Sequence, residues 1–179
     1  MDIEVDQATA ILRRTPGTLR ALLAGLPDAW SRATEGSETW SAYDVVGHLL
    51  HGETTEWIPR LRIILEEGEA RPFPTFNRTA MFEESQGKTL EQLLDAFAAA
   101  RAANLTTLDG LRVTPDQLAL KGTHPSLGPV TLGNLLATWA IHDLNHQGQI
   151  VEVLAQQYLD AVGPWKRYLG ILNRPILTE

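Results

Sequence analysis

Four stretches of this chain place apolar residues at helical spacing between residues that start and stop helices. No stretch longer than a few residues alternates as a half-buried strand would. A chain patterned in this way buries its apolar stripes by packing helix on helix. Asp6 can cap a first short helix, and Thr15-Pro16 reads as an N-cap followed by proline at the first helical position. Leu19, Leu22, Leu23 and Leu26 then share one face, and Gly25 and Pro27 stop the helix. Residues 27–40 read as a polar loop ending in Trp40. Ser41 and Asp44 form a variant capping box that opens a second helix reaching about residue 68, with Pro59 expected to kink it. Residues 69–88 lack helical phase, and a connection of that length is often functional or mobile. Thr89 and Gln92 cap a third helix whose stripe runs Leu90, Leu93, Leu94, Phe97, Arg101, Leu105, Leu108 and ends at Gly110. After a second connection rich in Pro and Gly, Thr131 caps a fourth helix to about residue 158. The expectation is an all-α four-helix bundle, one domain over residues 1–179.

Composition narrows the chemistry. A chain of 179 residues buries roughly 70% of its unfolded surface, so its core needs no disulfide or structural metal. Fifteen Lys and Arg against 22 Asp and Glu leave a net charge of -7, which argues against a general polyanion binder. No run of 18 apolar residues suggests a membrane span. The start MDIEVDQATA has neither a basic opening nor an apolar stretch, so no signal peptide is expected and the cytoplasm is the expected location. The absence of cysteine removes thiol nucleophiles, Fe–S clusters and zinc ribbons.

The chemical signal lies in the histidines. On a helical wheel of the fourth helix, Leu135, Leu136, Trp139, Ile150, Val153 and Leu154 share one arc. His142 and His146 fall on the same arc towards one edge, with Gln149 just beyond. Two histidines one turn apart can serve a single metal, or they can be core-edge residues with other partners. His48, in HLLHGE, can face them if the second and fourth helices are neighbours, which would give a three-histidine set with open coordination positions. His51 is one turn away and is the other candidate. Glu53 on the apolar face is a buried carboxylate either near the metal or reaching the bundle end. Asp143 can orient a histidine ring or join two helices. His124, ahead of a proline, reads as a turn residue. No HExxH, G-x-S-x-G, phosphate loop or paired Glu-x-x-His is present.

WSAYDVVGHLLHGE, followed by HPSLGPVTLGNLLATWAIHDLNHQGQI, resembles the DinB-like (DinB/YfiT) superfamily of metal-binding bundles. The resemblance runs from Thr15-Pro16 to about Leu154. It implies a four-helix bundle of up-down-down-up connectivity and a divalent metal, zinc or nickel, on His48, His142 and His146. Gly47 and Gly52, flanking His48, are expected to let the fourth helix approach. The resemblance also implies frequent homodimers, here expected through the apolar surplus of the first and third helices. Characterised relatives include S-transferases and isomerases that use small thiols such as bacillithiol, mycothiol or glutathione. The implied function is a metal-dependent transferase that activates such a thiol toward an electrophilic small molecule. A metal-dependent hydrolase, or a non-enzymatic metal- or ligand-binding stress-response bundle, is the alternative.

Overall fold

The structure is a computed structural model that describes residues 4–36 and 39–173. The two expected capping boxes form, the expected Thr131 cap is a third, and together they set the starts of the long helices. Ser41 Oγ accepts from the Asp44 amide while the Asp44 carboxylate accepts from the Ser41 amide, opening α4 (Ala42–Thr55). The Thr89–Gln92 and Thr131–Asn134 pairs do the same for α7 (Leu90–Leu111) and α8 (Leu132–Gln156). Each box satisfies two amides that helix geometry leaves without partners.

Elsewhere the boundaries move. The first region is two helices, α1 (Val5–Leu12) and α2 (Thr15–Leu23). Asp6 sits inside the first turn of α1, behind Glu4 at the cap, and Pro16 sits at the start of α2 with Arg14 at the cap. The expected polar loop holds a single turn, α3 (Asp28–Ser31), while its Ser37 and Glu38 lie outside the described residues. The second helix breaks instead of kinking: α5 (Trp57–Glu66) follows α4 after Glu56. Pro59 has no N–H for the Thr55 carbonyl, and its ring crowds that turn. The 69–88 connection contains α6 (Ala80–Glu84). The second connection forms an antiparallel hairpin, β1 (Lys121–His124) with β2 (Gly128–Thr131), whose strands are too short to show a pattern in sequence.

The helices pack as a bundle in which α1–α2 and α4–α5 each lie against both α7 and α8. The second and fourth helical regions are therefore neighbours. Two apolar clusters fill the interior, one around Trp57, Leu61, Leu105, Leu136 and Trp139, the other around Leu23, Val46, Leu93, Phe97 and Ile150. A polar layer separates them along three helices: Glu53 on α4, Arg101 on α7 and Asp143 on α8, all buried. Gly47 does not admit α8. A Cβ there would lie 2.5 Å from Ser85 Oγ, so this glycine fits α4 against the end of α6. The position of Gly52 faces Trp57 Nε1 at 3.5 Å.

Candidate metal centre

His48 projects from the middle of α4, where ten of the fourteen positions are buried. His142 and His146 project from α8 one turn apart. The packing of α4 on α8 brings their Nε2 atoms together: His48 to His142 at 3.0 Å, and His142 to His146 at 3.2 Å. The three donor atoms lie within 4.8 Å of one another. Imidazole nitrogens held at 2.0–2.1 Å from one ion, at angles between octahedral and tetrahedral, stand roughly 2.8–3.4 Å apart. The two close spacings fall in that range, so the donor set fits a divalent ion.

Protonation supports the same reading. Burial, then the charges of His146, His51 and Arg78, lowers the His48 pKa from 6.5 to about 3. Burial, then His146, His48 and Arg101, lowers that of His142 to about 2. Both rings are neutral donors at any ordinary pH. His146 Nδ1 lies 2.7 Å from Gln149 Oε1, and an amide oxygen there can only accept. The His146 proton is therefore on Nδ1, which leaves the Nε2 lone pair for the cluster. Nδ1 of His48 and of His142 are buried without a partner. Aromatic rings enclose the group: Trp40 stacks on His146, Phe76 meets His48 edge-on, and Trp57 meets His142 edge-on.

The remaining candidates go elsewhere. His51 turns away from the triad and pairs through Nδ1 with Glu84 at 2.9 Å. Glu53 is not near the triad's donor atoms as a fourth ligand; its carboxylate accepts from Arg101, Trp139 Nε1 and Asn104 at 2.9–3.0 Å. Asp143 does not orient a histidine ring. It takes Arg101 in a two-pronged pair, at 2.6 and 2.9 Å. Arg101 also donates to the Leu12 carbonyl at 2.8 Å, so one guanidinium joins α4, α7, α8 and the end of α1. Burial opposes that charge, but the hydrogen bonds to Asp143 and Glu53 outweigh it and raise the pKa. The signal was an arginine on an apolar stripe, which only paired carboxylates can tolerate. His124 is a turn residue whose Nδ1 accepts from the Ser126 and Leu127 amides.

A cavity of about 510 Å³ opens from the triad. Phe73, Thr75, Phe76 and Arg78, from the long 69–88 connection, form part of its wall. That segment is held in place where the Phe73 amide donates to the Thr123 carbonyl of β1 at 2.9 Å. Among the described residues Glu56 is the one carboxylate lining the cavity, and it is paired with Arg60. Trp57 falls at helical spacing with Leu61 and Ile64 and reads as core, whereas Phe76, Arg60 and Arg78 carry no spacing signal for the cavity.

The family model of the DinB superfamily matches residues 11–150. Among solved structures the chain is similar to YfiT from Bacillus subtilis, described as a probable metal-dependent hydrolase with an unusual four-helix bundle topology. The two share 20% identity and superpose with a TM-score of 0.73 over 86% of this chain and 87% of that one. At this identity the likeness is one of fold. A comparison with curated proteins returned no match.

Proposed function

The chain belongs to the DinB superfamily, and from that premise we propose that it is a metal-dependent enzyme in which His48, His142 and His146 hold a divalent ion, zinc or nickel. The reaction we propose is transfer of a low-molecular-weight thiol to an electrophilic small molecule. A divalent ion on these imidazoles would lower the pKa of an entering thiol and supply the thiolate that a chain without cysteine lacks. The rest of the chemistry belongs to the protein. Neutral imidazoles leave the ion its full charge, the aromatic rings exclude bulk water, and the cavity holds both reactants within reach of the triad.

The observation that carries this reading is three imidazole nitrogens within 4.8 Å of one another, opening on a cavity in a chain without cysteine. Among the described residues of the cavity, the Glu56 carboxylate is tied to Arg60. His124 has its acceptor nitrogen occupied by backbone amides. An ion on the triad would bring the pKa of a bound water to about 7 but would deprotonate a coordinated thiol outright, so the thiolate would be the more fully formed nucleophile. Hydrolysis is the second reading, favoured by the description of YfiT as a probable metal-dependent hydrolase. The test is turnover by the zinc- or nickel-loaded chain of an aryl halide with glutathione, bacillithiol or mycothiol, beside a nitrophenyl ester without thiol. Thiol-dependent turnover supports the transferase. Ester turnover that needs the metal and no thiol replaces it with the hydrolase.

We also propose a homodimer through α8. Neither of the helical regions expected to carry the interface leaves a large hydrophobic residue exposed among the described residues. The outer face of α8 does: Ile141, Leu144 and Val151 are exposed, alternating at heptad spacing with Ala137, Gly148 and Ala155. A Cβ on Gly148 would meet nothing within 4 Å, so no part of this chain uses that glycine. Two antiparallel copies crossing near Gly148 would set Ile141 close to Ala155 and Leu144 close to Val151, apolar against apolar.

A further inference from the structure

The cavity has a second pole. Away from the triad, its wall includes three side chains that offer donors, Arg60, His124 and Asn134. Arg60 is 93% buried. Its Nη2 donates to Glu56 and to the Pro74 carbonyl, while its Nε has no partner and no described residue accepts from Nη1. The guanidinium lies over the Phe73 ring, and His124 meets the same ring edge-on, so Arg60 and His124 flank one aromatic side chain. The His124 Nδ1 accepts from two backbone amides, which puts the ring proton on Nε2 as a donor. Asn134 Oδ1 accepts from the Thr131 amide, leaving its NH₂ as donor. Arg78, on the covering segment, forms no ion pair with a described residue and lines the cavity on the triad side, where its charge acts on His48. Glu56, Arg60 and Arg78 together leave one positive charge in this cavity, on a chain whose net charge is -7.

We infer that Arg60, Arg78, His124 and Asn134 form a subsite for an oxyanion, a carboxylate or phosphate carried by the small molecule that reacts at the triad. The inference rests on the proposed function for its role, since a substrate held by its anionic end would present its other end to the histidines. Its physical basis is independent of the metal. Donors that line one cavity beside a buried, half-satisfied guanidinium are best matched by an acceptor-rich, negatively charged group. Burial and the neighbouring Arg60 charge lower the His124 pKa, so this ring contributes a hydrogen bond and not a charge.

The probes are phenylacetate, phenyl phosphate and neutral phenylacetamide, titrated into the metal-free chain and followed by amide chemical shifts. Both anions should bind at least roughly tenfold more tightly than the amide. The tighter of the two identifies the oxyanion as carboxylate or phosphate. Arg78→Gln, at an exposed position, should weaken the anions by roughly two- to fivefold and leave the amide unchanged. Arg60→Gln should cost roughly tenfold or more; if that variant fails to fold, Arg78→Gln and His124→Gln decide. Amide binding as tight as anion binding, or an anion preference untouched by the variants that fold, overturns the subsite. His142→Ala separates this inference from the reading on which it rests. Anion binding that persists in His142→Ala upholds the subsite even if the triad proves to hold no metal. Anion binding that requires loaded metal and vanishes in His142→Ala overturns the subsite and leaves the metal reading standing.

Discussion

His142 is the vertex of the three rings, with its Nε2 at 3.0 Å from that of His48 and 3.2 Å from that of His146. Removing it leaves two donors and an open face. His142→Ala should abolish tight metal binding while the bundle stays folded, because the apolar clusters on either side do not rest on this ring. Metal content equal to wild type in the folded variant removes His142 from the ligand set. Burial of the same rings sets a pH dependence. The folded chain keeps His48 and His142 neutral down to about 3 and about 2, whereas the unfolded chain protonates them below 6.5. The unfolded state thus binds more protons in that interval, and the metal-free chain loses stability as pH falls from 6.5 toward 3. Denaturant titrations at about pH 7 and about pH 5 should show this loss, and the loss should be smaller in His142→Ala. Equal losses in the two proteins contradict the assignment.

Elements position these residues, and they differ in how plainly the sequence announces them. The capping boxes at Ser41, Thr89 and Thr131 mark the long helices because their chemistry is local. The His142–His146 face is legible for the same reason: a period of 3.6 is a property of one segment. His48 needed the family pattern to be preferred over His51, since which of two residues a turn apart faces α8 depends on how α4 lies on it. The polar layer was visible only in part. Arg101 stood on an apolar stripe, but its pairing with Glu53 and Asp143 joins residues 42 and 48 positions apart, and no local pattern encodes that. The hairpin was hidden by its length. It matters nonetheless, because Gly122 lets β1 close on α5 and on the cavity wall. A Cβ there would stand 2.8 Å from both Ile64 Cγ1 and Phe73 Cε1. Gly122→Ala should cost about 1–3 kcal/mol by overpacking and displace Phe73, read as a lower denaturation midpoint and shifted resonances around the cavity. An unchanged midpoint contradicts that packing.

At the scale of the whole molecule, a bundle with two apolar clusters encloses a charged layer and opens one cavity at the triad. Among the described residues no helix is long and apolar enough to cross a membrane, and the outer face of α8 leaves Ile141, Leu144 and Val151 exposed. Light scattering at micromolar concentration should give the mass of a dimer, and Leu144→Asp should give that of a folded monomer. A wild-type monomer, or a dimer indifferent to this change, contradicts the α8 interface. The central claim is that three imidazoles share one ion. X-ray absorption at the zinc edge, on the chain loaded with one equivalent of zinc, tests it directly. The expected spectrum shows three imidazole nitrogens at about 2.0–2.1 Å, reduced in His142→Ala. A zinc shell with one imidazole or none, or one that His142→Ala leaves unchanged, would contradict it.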